Sequence, residues 1–192
     1  MTELLPLVFT SGWASGVNAY ATVLLLGLLG RFADFDAVPA GLERTDVLIA
    51  AAALYAIEFV ADKIPYVDST WDTVHTVIRP TIGTVIGLLV AGDAASLDQA
   101  VLAATGGITA LVSHLVKAGL RLAVNTSPEP VSNIGVSLVE DFSVAGVVAL
   151  ALSAPWVAAG IAAALLVTGV ALVVLLAKRI RQARARWRAR RA

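Results

Sequence analysis

The sequence predicts an all-α integral membrane protein with about six membrane helices, some of them broken or re-entrant. Three observations carry that expectation. The 192 residues are 58% hydrophobic and only 15% charged, with a mean hydropathy of +0.84. Runs that span lipid explain such values better than an unusually apolar soluble core. Apolar segments recur at 4–30, 47–61, 80–92, 100–124, 131–154 and 157–177. The last runs straight into "KRIRQARARWRARR", which holds eight of the 14 basic residues and leaves the rest of the chain at a net −8.

A helix rises about 1.5 Å per residue, so a span needs roughly 20 residues. The first segment is therefore long, and it contains Pro6, Gly12, Gly16 and Asn18, so a break or re-entrant turn is expected there. The second and third segments are short. Between them, "PYVDSTWDTVHTVIRP" places Ser69 three residues before Asp72, the pattern of a capping box that opens a helix. Asp68, Asp72, His75 and Arg79 then recur at helical spacing as one polar stripe. Pro80 lacks a backbone donor and restrains Arg79, so a short interfacial helix kinked into a short span is expected, with Trp71 at headgroup level.

Residues 1–177 read as one polytopic membrane domain and 178–192 as a basic cytoplasmic tail. Cytoplasmic juxtamembrane segments are enriched in Lys and Arg. Six crossings would return the N-terminus to the tail's side. The outer connections then carry Arg31 and Arg44, and the inner side Lys63, Arg79, Lys117, Arg121 and the tail. This predicts a bacterial inner-membrane location, with anionic lipid at the tail rather than nucleic acid. The N-terminus lacks a basic n-region and reads as part of the mature chain.

A faint repeat links 1–95 to 96–177. "YAIEFVAD" echoes "SLVEDFSVA", and "SGWASGVNAY" has a looser counterpart in "TGGITALVSH". Three elements per half would invert the second copy and make Glu58 and Glu140 equivalent, a recurrent transporter plan.

Charges inside a span cost several kcal/mol, on the order of +3 for insertion, and survive by pairing, by facing water or by protonation. Glu58 and Asp62 share a helix face, while Glu140 and the adjacent Asp141 point about 100° apart. With Asp72, His75 and Arg79 they form the candidate substrate or ion site. Arg79 is its expected counter-charge and His75 a relay. The opposing reading pairs these carboxylates with Arg79, Lys117 or Arg121 simply to hold helices together. Asn18, His114 and Lys117, the latter two on one face, complete the set within the apolar segments. Glu129 and Asn133 belong to the turn "NTSPEPVSN" at the mouth above Glu140. The chain has no cysteine, no phosphate-binding loop and no metal-ligand spacing. No catalytic residue or cofactor is assigned, and a metal is left open.

"SGVNAYATVLLLGLLGRF", "EFVADKIPYVDSTWDTVHTVIRP" and "SPEPVSNIGVSLVEDFSV" together resemble a family of small bacterial integral membrane proteins, domain of unknown function 4126. The resemblance covers roughly residues 11–170 and implies an all-helical inner-membrane protein, with Glu58, Asp62, Asp68, Asp72, Arg79, Glu129, Glu140 and Asp141 in the family's characteristic phrases. It implies no activity. The expected function is transport or channelling of a small solute or ion through an intramembrane acidic site that handles protons or a cation. The alternatives are lipid flipping or scrambling, and a non-transporting scaffold docking through its tail. Membrane lipids and the solute are the expected partners, with room for a homo-oligomer.

Overall fold

The computed structural model of the chain describes residues 4–33, 35–64, 66–124 and 130–189. These form seven helices, with no strand among the described residues: α1 (Leu4–Val17), α2 (Ala19–Ala33), α3 (Thr45–Ala61), α4 (Val67–Ala91), α5 (Ser96–Val124), α6 (Pro130–Ser153) and α7 (Pro155–Ala189). By length and composition α4, α5, α6 and α7 are each able to cross a membrane. The protein is an all-helical membrane protein. Large apolar side chains on the outside, such as Ile57, Val77, Phe142 and Val167, are what a lipid-facing surface requires.

The helix α1 is the hub. All but three of its 14 residues are buried, and α4, α5, α6 and α7 surround it. The long first segment breaks at Asn18. The Asn18 side chain accepts from the Ala21 N–H at 2.9 Å, which makes it the N-cap of α2. The carbonyls of Gly16 and Val17, freed by the break, accept from Arg79 Nη1 at 3.3 Å and Lys117 Nζ at 2.9 Å. A broken helix at membrane depth is stable only when its backbone groups are satisfied in this way.

The break reverses the chain. Val8 clusters with Ala91 and Leu102 beside the α4–α5 turn, whereas Val17 lies level with Lys117. The chain then returns, because Gly27 abuts Leu42 and Leu48 and Arg31 Nη1 donates to Thr45 Oγ1 at 2.9 Å. Together α1 and α2 form a re-entrant hairpin that opens and closes on one face. The tail, at the end of α7, lies on the other.

That geometry corrects the expected topology. Leu4 sits on the face opposite the tail, not on the same side, because the first segment turns back instead of crossing. The division of basic residues holds in part: Arg31 and Arg44 lie on the hairpin face and Lys63, Arg121 and the tail towards the other, whereas Arg79 and Lys117, expected on the tail's side, are buried at the hairpin tip. The faint repeat finds no single symmetry operation either. The segments 55–62 and 137–145 run in opposite directions, but α1 and α5 run in parallel, with Gly12 against Gly106 and Gly16 against Ala110.

Towards the hairpin face, the helices meet through small residues. A Cβ placed on Gly12 or on Gly83 would lie 2.6 Å from the Gly106 carbonyl oxygen, so α1, α4 and α5 converge on one point that admits no side chain. Two local expectations change. The helix α4 begins at Val67, with Tyr66 at its N-cap in a left-handed conformation (φ 71°). Ser69 therefore lies inside the first turn, where its N–H donates to Asp68 Oδ1 at 2.6 Å, and no capping box forms. Pro80 lies within one continuous 25-residue helix, so the third segment is not short.

Candidate functional site: a buried charge network around the hairpin tip

The expected polar stripe is real and faces inward. On α4 the buried residues are Asp68, Asp72, His75 and Arg79, followed by Gly83, Ile86, Gly87 and Ala91. On α5 the same face runs from Leu102, Gly106 and Ala110 to His114, Lys117 and Arg121. Both helices thus change along their length from small apolar contacts to charge. The helix α3 is lipid-exposed except along one line, Leu48, Ala51, Glu58 and Ala61. Glu58 is therefore the carboxylate that its inward face delivers.

Arg79 and Glu58 are fully buried and paired at 2.7 Å. Arg79 Nη1 also donates to His114 Nδ1 at 2.8 Å and lies 3.0 Å from Asp72 Oδ1, poorly aligned for a hydrogen bond. A guanidinium only donates, so His114 accepts at Nδ1 and carries its proton on Nε2, which faces Thr76 Oγ1 at 3.0 Å. The backbone carbonyl of Arg79 accepts from Ser15 Oγ at 3.0 Å. His75 Nδ1 donates to the Trp71 carbonyl at 2.8 Å, leaving Nε2 to accept from Tyr20 Oη at 3.1 Å. Its ring stacks on Trp71.

Closer to the tail face, Lys117 Nζ lies 2.6 Å from Asp62 Oδ2 and 3.5 Å from Glu140 Oε2. Arg121 pairs with the same Glu140 oxygen at 2.5 Å and donates to the Asp62 carbonyl and to Asn133 Oδ1, both at 2.8 Å. Arg121 also stands 3.7 Å from Asp68. Asp141 joins the hairpin to α3: Asn18 Nδ2 donates to its Oδ1 and Lys63 Nζ to its Oδ2, each at 3.4 Å. Lys63 Nζ in turn rests 3.1 Å from the centroid of the Phe59 ring.

Three ion-paired groups, joined through the hairpin backbone at Gly16, Val17 and Asn18, make up the network and gather Asn18, Glu58, Asp62, Asp72, His114, Lys117, Asn133, Glu140, Asp141 and Arg79, with His75 alongside. Glu129 lies outside the described residues. The counter-charge of Glu140 is Arg121 with Lys117, not Arg79. Arg79 belongs to Glu58 and Asp72. Sequence reasoning left Arg121, Lys63, Tyr20 and Thr76 out of the site. The spacing of His114, Lys117 and Arg121 along one face was the available signal for Arg121.

Among the described residues, six carboxylates (Glu58, Asp62, Asp68, Asp72, Glu140 and Asp141) meet four basic groups (Lys63, Arg79, Lys117 and Arg121). Fully ionised, the network holds an excess of two negative charges. Glu58 Oε2, Asp62 Oδ1 and both Asp72 oxygens are buried without a hydrogen bond. Among the described residues no group of three or more His, Asp or Glu converges to hold a metal ion.

Beside the network lies a cavity of about 340 Å³ between α1, α5, α6 and α7. Trp13, Leu120 and Leu166 wall it, Lys117 and Glu140 lie at its polar end, and the exposed Val139, Leu165 and Leu172 stand at its rim. No curated protein and no solved structure matches the chain. Residues 5–175 match the family described as "Domain of unknown function (DUF4126)", and the chain, with its broken first segment and its carboxylates in the expected phrases, belongs to that family.

Proposed function

We propose that the protein is a multi-pass membrane transporter for a small solute or ion, with the buried network as its coupling site. The observation that carries this reading is the double engagement of Arg79 and Lys117. Each holds carboxylates and, at the same time, a backbone carbonyl freed at the hairpin tip. A change in the charge of Glu58, Asp62 or Glu140 thereby alters the hold on the broken helix. Broken helices whose ends meet charged groups at membrane depth recur in transporters. The unbalanced carboxylates supply a place for protons or a cation. An inverted repeat is not needed for this reading. On this reading the tail lies on the cytoplasmic side of a bacterial inner membrane, where its arginines meet anionic lipid.

The test is dissipation of imposed ion and pH gradients by proteoliposomes across a panel of small ions and solutes. Glu140→Gln abolishes pH-dependent flux while helical content stays unchanged. Unaltered flux in that variant overturns the proposal. The lateral cavity favours a second reading, lipid movement, because its rim faces hydrocarbon and its far end is charged. In that case Arg79→Ala and cavity-filling Leu166→Trp slow lipid scrambling more than Glu140→Gln does. A scaffold acting through the tail predicts instead that deleting residues 178–192 removes all function.

A further inference from the structure

Asp72 poses a separate problem. It is only 3% exposed, yet neither carboxylate oxygen accepts a hydrogen bond. Arg79 stands beside Oδ1 and is itself shared with Glu58, so Glu58, Arg79 and Asp72 together carry a net negative charge. A buried carboxylate without donors is destabilising unless something else solvates it.

What adjoins it is a cavity of about 110 Å³, lined by Ser69, Asp72, Thr73 and Thr76 from one flank of α4 and by Ala118 and Leu122 from α5. Residues 69, 72, 73 and 76 recur at helical spacing, so successive turns of the helix line the same space with oxygen-bearing side chains, the Asp72 carboxylate oxygens themselves being buried. Thr73 donates its hydroxyl hydrogen to the Ser69 carbonyl at 2.9 Å and Thr76 to the Asp72 carbonyl at 3.1 Å. With its hydrogen turned to the backbone, Thr73 keeps its oxygen lone pairs, and Thr76, which already accepts from His114 Nε2–H, keeps one. The lining has no imidazole. Oxygen-only surroundings with a single carboxylate suit a hard cation of low charge.

We propose that this cleft is a binding site for a small monovalent cation of the sodium class. Asp72 is the charged ligand and the Thr73 and Thr76 hydroxyl oxygens are neutral ligands. The inference rests on the transport reading and deepens it, because it moves the coupling ion from the centre of the network to its edge between α4 and α5. Arg79 is then the link by which an ion at Asp72 is felt at Glu58 and at the hairpin carbonyl of Gly16.

The test is thermal unfolding of the purified protein in detergent, in NaCl against equimolar KCl and choline chloride at fixed pH. Sodium is expected to raise Tm by about 4 °C or more at concentrations well above its dissociation constant. Thr73→Val is expected to lose that sodium-specific shift and Thr73→Ser to keep it. Asp72→Asn is expected to lose it as well, and if that variant does not fold, the threonine pair decides. Equal Tm in the three salts overturns the site, as does a sodium shift that survives in Thr73→Val. So does equal protection by lowered pH in choline chloride, which assigns Asp72 to a proton. Sodium binding without any flux in proteoliposomes leaves the site standing and removes the transport reading. Flux that is indifferent to sodium and to Thr73→Val does the reverse.

Discussion

Lys117 joins the tip of the re-entrant hairpin to α3: its ammonium lies 2.9 Å from the Val17 carbonyl and 2.6 Å from Asp62 Oδ2. One side chain thus completes a broken helix and neutralises a buried acid. Lys117→Met is expected to lose both functions, leaving a carbonyl and a carboxylate unpaired. The destabilisation should be about 3–5 kcal/mol, as when one partner of a buried pair is removed. Chemical unfolding in detergent measures it. Lys117→Arg should recover part, because it keeps the charge but not the compact ammonium.

Arg79 is expected to behave as the centre of a unit. Arg79→Ala strands both Glu58 and Asp72, whereas Glu58→Gln leaves Arg79 one of its acids, Asp72. A double-mutant cycle between Arg79→Met and Glu58→Leu should show a coupling of about 2 kcal/mol or more, with the double variant more stable than Arg79→Met alone. Additive losses would dissolve the unit.

Asn18→Ala removes the cap on Ala21 and the link to Asp141. Loss of an N-cap costs about 1 kcal/mol, so the fold should persist. The effect should show as faster hydrogen exchange at the start of α2, with α5 unchanged.

The glycines divide by what surrounds them. Gly12→Ala and Gly83→Ala would each drive a methyl to within 2.6 Å of the Gly106 carbonyl and should lower folded yield sharply. Gly146 and Gly160 have nothing near them. Gly146→Ala should be neutral or stabilising by about 0.5 kcal/mol, as helix propensity dictates. Size-exclusion profiles and thermal unfolding of the three variants form the comparison.

Much of this was legible in the sequence, for definite reasons. Asp68, Asp72, His75 and Arg79 recur at the helical period, so their common inward face followed from spacing alone. Gly12, Gly16 and Asn18 marked a break in the first segment. Its direction was not legible, because a reversal and a bend use the same residues and differ only in which neighbours receive the freed carbonyls. Those neighbours, Arg79 and Lys117, lie some 60 and 100 residues away. The partner of Glu140 was misassigned for a related reason. Periodicity says which face a charge occupies but not its depth, and Arg121 rather than Arg79 lies level with Glu140 on the neighbouring helix.

The convergence of Gly12, Gly83 and Gly106 has a mechanical consequence. Three backbones clasped with no side chain between them form a stiff fulcrum near one face, while the opposite half of the bundle is held by ion pairs that can exchange partners. On the transport reading, the working stroke is a lever motion, with its small arm at the glycines and its long arm at Glu140, Arg121 and the base of the tail.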